Sequence, residues 1–215
     1  MLSVSLLLSL LFGAPTSAPL PVSNDPPVAV RSLLATRPRL VPKERAAPPS
    51  VPFYSQFTDI HDARWQKMGC GIASLAMIIE YYHPGVVSVD ALLHEAIAAG
   101  AYAKNAGWKH RDLALLGGQY GLEGESYDLA KLDTASAFLR FKGSLMAGPV
   151  IASVHYKFDP KSTIPHLVVI TGITDDRVYY NDPAARASGQ FVSTSEFLAA
   201  WKKRFITFSA EEPLS

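Results

Sequence analysis

The chain has one cysteine, Cys70. It sits between Gly69 and Gly71, at the start of a run from Cys70 to Tyr82 that reads as a helix. The unpaired amides and positive dipole at a helix start favour an anion, so a cysteine placed there has a raised thiolate fraction. The thiolate is the nucleophilic form, and a free thiol is only a few per cent ionised at neutral pH. The two glycines are expected to leave room for a substrate backbone to reach the sulfur. The alternative for a lone cysteine is a small, inert core residue. A single cysteine excludes both a disulfide scaffold and a cysteine-based zinc site.

A base and its orienting group are expected from a hairpin. Residues 166–173 and 177–182 read as strands turning around Thr174-Asp175-Asp176. If the turn is centred on Thr174, His166 faces Asp182, with Cβ atoms about 4.5–5.5 Å apart on one sheet face. A one-residue slip would put them on opposite faces. A carboxylate on an imidazole fixes its tautomer and stabilises its cation, the third role in a nucleophile–base–orienter triad. The other candidates carry less. His61-Asp62 and His94-Glu95 lack metal-ligand spacing and read as surface pairs. His83 sits at a helix end, while His110 and His155 have no partner visible in the sequence. Ser74 lies in no G-x-S-x-G elbow. No phosphate loop or G-x-G-x-x-G is present, and Tyr102, Trp108 and Tyr120 fit either core or cleft.

The elements that must hold these groups form an α+β chain. After the helix from Cys70, a second is expected from a Ser88 cap to near Gly100. A third covers about 111–116 and a fourth 134–145. Strands are expected over 149–156, 166–173 and 177–182. Ser193-Thr194-Ser195-Glu196 is a capping-box pattern opening a last helix to about Lys203, and 205–209 is expected as a closing edge strand.

Before the body, composition changes. Leu2 to Phe12 carries no charge and is followed by small residues; it fits the apolar part of a signal peptide over 1–18, secretion or envelope location, and falls short of the ~20 residues of a membrane span. Ten of the 16 prolines lie between Pro15 and Pro52, so 19–52 reads as a Pro-rich leader or linker. No other window approaches membrane length, so no stable membrane span is expected. A net charge of +1 over 215 residues argues against a nucleic-acid partner. Oligomeric state has no signal.

Four blocks together carry a resemblance. Val51-Pro52-Phe53-Tyr54-Ser55-Gln56 precedes Gly69-Cys70-Gly71-Ile72-Ala73-Ser74-Leu75-Ala76-Met77; His166-Leu167-Val168-Val169-Ile170-Thr171-Gly172 and Tyr179-Tyr180-Asn181-Asp182-Pro183-Ala184 follow. With Phe197 and Trp201 these resemble the papain-like C39 cysteine peptidases, the bacteriocin-leader-peptidase-like group, over about 53–208. The resemblance implies a papain-like fold in 53–215, a nucleophile helix packed on an antiparallel sheet. It implies Cys70 as nucleophile, His166 as general base and acid, Asp182 as orienter, a peptide or protein substrate, and no cofactor or metal. Such peptidases place a glutamine shortly before the cysteine to help hold the oxyanion. Arg64 stands at that position here, leaving Gln66, nearer, and Gln56, farther, as candidate donors beside the Cys70 amide. The transporter fusion of the leader peptidases has no counterpart in this sequence. Three functions stay open: hydrolysis through a thioester, acyl or peptidyl transfer through the same thioester, and peptide binding without catalysis.

Overall fold

Side-chain caps start four of the six helices. In the computed structural model, which describes residues 50–104 and 106–210, Asp62 caps α1 (Ala63–Gln66) and Ser88 caps α3 (Val89–Ala98). Asp133 caps α5 (Thr134–Leu145), and Ser193 with Glu196 closes the capping box of α6 (Thr194–Ala200). The longest helix, α2 (Cys70–Tyr82), starts at Gly69 with no side-chain cap, as α4 (His110–Gly117) starts at Lys109. It ends at His83, whose backbone leaves the helical region before Pro84. Gly71 through Ile79 are all buried, so α2 is covered on every side as its apolar pattern requires. Segments 1–18 and 19–49, the expected signal and most of the expected leader, lie outside the described residues.

A two-stranded hairpin, β1 (Tyr102–Ala103) with β2 (Gly107–Trp108), stands apart from a six-stranded antiparallel sheet. The sheet comprises β3 (Leu122–Asp128), β4 (Val150–His155), β5 (Pro165–Ile173), β6 (Arg177–Asn181), β7 (Gln190–Ser193) and β8 (Trp201–Ala210), in the order β3-β8-β4-β5-β6-β7. Both faces are covered. Ile151, Leu167, Val169 and Ile206 pack with α2, α3 and α4. Val150, Ala152, Val154, Val168, Ile170 and Phe205 pack with Phe141 of α5, Phe197 of α6 and Trp201. That two-sided burial is why β4 and β5 read as unbroken apolar runs rather than alternating ones.

Several expectations are corrected. The last helix stops at Ala200 instead of Lys203, because Trp201, Phe205, Ile206 and Phe208 bury on the two faces of a strand. That strand is not at the edge: β8 lies between β3 and β4. The edges are β3 and β7, unforeseen because β3 (LEGESYD) is rich in polar residues and β7 is four residues long. Val51, assigned to the leader, is buried, and its carbonyl accepts from Asn181 Nδ2 at 3.1 Å.

Candidate active site

Register decides whether His166 and Asp182 meet. Near the turn, Gly172 pairs with Tyr179; continued unbroken, that register would set Asp182 opposite Val169, on the other face from His166. An irregularity at Thr171 shifts the pairing to Ile170 with Tyr180 and Val169 with Asn181. Asp182, just past the end of β6, therefore falls on the level of Val168, on the same face as His166. The expected direct pairing of 166 with 182 is thus wrong by two residues, an even error that keeps the face. His166 Nε2 donates to Asp182 Oδ1 at 2.6 Å. The same oxygen accepts from the Ala184 amide at 2.8 Å, which aims the carboxylate before the ring arrives.

With Nε2 committed to Asp182, Nδ1 is the ring nitrogen left for Cys70, which lines the same cleft and lies near enough to act on the ring's charge. Burial is the largest influence on the ring, which is 4% exposed, and pulls its pKa down; the Asp182 hydrogen bond and the negative charges of Cys70 and Asp182 together outweigh it and raise it to about 9. At neutral pH the ring is an imidazolium lying between a carboxylate and the sulfur. The Tyr156 ring stands edge-on to it, with centroids 5.2 Å apart.

Packing around the helix start holds the sulfur in place. A Cβ on Gly71 would lie 2.6 Å from Trp108 ring carbons, and one on Gly69 would lie 2.2 Å from Ile60 Cδ1. The glycines therefore admit Trp108 and Ile60, not a substrate backbone, which corrects the expectation for them. Trp108 Nε1 donates to the Met68 carbonyl at 2.5 Å, and Tyr102 Oη donates to Met68 Sδ at 2.8 Å, fixing the residues just before the helix. Trp65, Tyr102 and Trp108 form one aromatic cluster. Ser74, passed over in the sequence, is fully buried one turn after Cys70 and donates to the Leu167 carbonyl at 3.3 Å. It bolts the nucleophile helix to the strand carrying His166; its one signal was a hydroxyl inside an apolar helix.

The oxyanion candidates part company. Arg64, at the position where such a glutamine was expected, is 85% exposed and ion-paired with Asp62. Gln66 donates its amide to the Ile60 carbonyl at 3.0 Å. Gln56, farther in sequence, is 4% exposed and lies against Gly69; its Nε2 donates to the Gln66 carbonyl at 2.7 Å, and its backbone amide to the Pro183 carbonyl at 2.8 Å. Gln56 thus ties the turn after Asp182 to the helix start. Its Oε1 has no partner among the described residues.

Cys70 and His166 open on a cleft of about 260 Å³ whose walls include Lys67, Lys104, Trp108 and His110. Tyr102 lines it as well, whereas Tyr120 is turned away to Glu95. His61 is exposed and paired with Asp90, and His155 meets the Ser162 carbonyl. Among the described residues no three His, Cys, Asp or Glu side chains are grouped to hold a metal, and no helix is long and apolar enough to cross a membrane.

A search of curated proteins gives no match. Solved structures do match. A C39-like peptidase from Bacillus anthracis superposes with a TM-score of 0.57 at 20% identity, covering 76% of this chain and 96% of that one. A double glycine motif protease from an AMS/PCAT transporter, solved with the leader peptide, gives 0.54 at 21% identity, covering 77% and 96%. The peptidase domain of Streptococcus ComA gives 0.50 at 16%, covering 68% and 93%. At these identities the likeness concerns the fold, which is papain-like. The family model described as "Peptidase_C39 like family" matches residues 49–209, most of the chain, and the chain belongs to that family.

Proposed function

We propose that the chain is a cysteine peptidase or amidase that cleaves a peptide or amide bond through a thioester on Cys70. One observation carries this reading: a single buried imidazole, hydrogen-bonded to a carboxylate, shares a cleft with the chain's lone cysteine, near enough for each to act on the other's charge. The Cys70 thiolate adds to the scissile carbonyl carbon, and the His166 imidazolium protonates the leaving amine as the C–N bond breaks. His166, now neutral, takes a proton from water while the oxygen attacks the thioester; the acid leaves and the thiolate–imidazolium pair returns. Asp182 keeps Nε2 protonated and Nδ1 toward the sulfur throughout. The developing oxyanion is held by the Cys70 amide with a carboxamide from Gln56 or Gln66; a single such donor is worth about 10²–10³ in rate. Family membership and the solved relative that carries a leader peptide support a peptide substrate. The uncharged run 2–12 supports work outside the cytoplasm.

The test uses iodoacetamide and a peptide library at neutral pH. The native chain is expected to label at Cys70 and to cleave, and Cys70→Ala to abolish cleavage. Labelling only after denaturation would refute the hydrolase. Arg64, standing where a glutamine was expected, favours a second reading, a binding module; peptide binding without turnover by the native chain would establish it. An added amine captured into product would identify transfer instead of hydrolysis.

A further inference from the structure

The cleft beside Cys70 continues past its far wall. Trp108 and His110 also border a second basin of about 320 Å³, whose other sides are Ser126, Tyr127 and Asp128 of β3 and Arg204 of β8. Trp108 and His110 stand between the two basins, which together form a groove-like band from the sulfur to the β3–β8 end of the sheet.

The charges along it are mostly positive. Lys67 and Lys104 line the first basin, and neither has a carboxylate partner among the described residues. Arg204 lines the second, with Asp128, the one carboxylate lining either basin, already 2.9 Å from its Nε. Lys202, beside Arg204 in β8, has no carboxylate partner among the described residues either, and its charge and that of Arg204 reach His110. Burial first, then Arg204 and more weakly Lys202, outweigh the opposing charge of Asp128 and lower the His110 pKa, so its ring offers a hydrogen bond in its neutral form. Residues 53–215 as a whole carry 15 Lys and Arg against 17 Asp and Glu. Positive charge is therefore gathered along this groove in an otherwise slightly acidic body, and a walled groove of mostly one sign concentrates its field on an incoming chain.

Resting on the peptidase reading for its chemistry, we propose that the groove selects acidic polypeptide. Carboxylate side chains flanking the scissile bond dock on Lys67 and Lys104 near the sulfur and on Arg204 in the far basin, with His110 between.

Binding tests this without turnover. The full chain carrying Cys70→Ala is titrated into fluorescein-labelled peptides of alternating Ala and Glu, Ala and Gln, or Ala and Lys. The Glu peptide is expected to bind at least about tenfold tighter than the Gln peptide, with the Lys peptide weakest. The advantage should shrink as salt rises from about 0.05 to 0.5 M. Adding Lys67→Glu and Lys104→Glu, both exposed, should abolish or reverse the order with an unchanged circular dichroism spectrum. Arg204→Gln should weaken the Glu peptide alone, several-fold. Equal binding of Glu and Gln peptides, no binding of any, or a preference that survives these substitutions overturns the proposal. Failure of native Cys70 to label would refute the hydrolase and leave this binding result standing. Cleavage of the library without acidic enrichment would do the reverse.

Discussion

At neutral pH the His166 ring carries a proton. Its pKa is raised from 6.5 to about 9, so the protonated ring dominates below that value and is lost above it. If the peptidase reading holds, kcat/KM falls as pH rises through about 9. The same contact's contribution to folding is fully present below the ordinary histidine value and disappears over the same upper window. Asp182→Asn removes the carboxylate's charge; the descending limb should move to lower pH and kcat should drop by about 10²–10⁴. The neighbouring Asn181 is 2% exposed, donates to the Val51 carbonyl and accepts from the Gly189 amide at 2.9 Å. Asn181→Ala orphans both groups and should cost about 2–3 kcal/mol, lowering Tm by about 2–4 °C for each kcal/mol. Cys70, His166 and Asp182 were legible as types in a plausible hairpin. Both candidate glutamines were legible, but not which of them lies against the helix start: Gln56 reaches Gly69 through the loop ahead of α1, a path no sequence spacing reveals.

Among the elements, α2 and the β5–β6 hairpin set the geometry, and each was readable to a different depth. Helix α2 was recovered end to end, because its start is marked by glycine, its stop by Pro84 and its interior by apolar residues. The hairpin was recovered in existence and not in register, since the irregularity at Thr171 depends on how both strands pack. Helix α6 was overrun by three residues: its capping box marks a start, and nothing local marks the end where Trp201 turns into the sheet. Packing at Gly71 gives a direct test. Gly71→Ala pushes a methyl into Trp108, and overpacking of this kind costs about 1–3 kcal/mol. The indole's hydrogen bond to Met68 should be strained with it, so the variant is expected to melt earlier and to show altered tryptophan fluorescence.

Across the molecule, helices cover both faces of one sheet, and the groove opens where α2, the β1–β2 hairpin and the β3–β8 end converge. The α+β class was legible because apolar periodicity changes from helical to extended near Pro149, and the papain-like fold followed from the resemblance to the C39 peptidases. Sheet order was not, since β8 inserts between β3 and β4, both distant from it in sequence. Deleting 201–210 strips the partner from both β3 and β4. The truncated chain is expected to elute from size exclusion as aggregates rather than monomer, because two long unpaired edges invite other chains. That interior position also imposes an order on biogenesis. Trp201–Ala210 is the last of the described strands to leave the ribosome, so until it emerges β3 has no partner and stays apart from β4. Closure of the sheet therefore waits on its last described strand, although five of its strands are made before it.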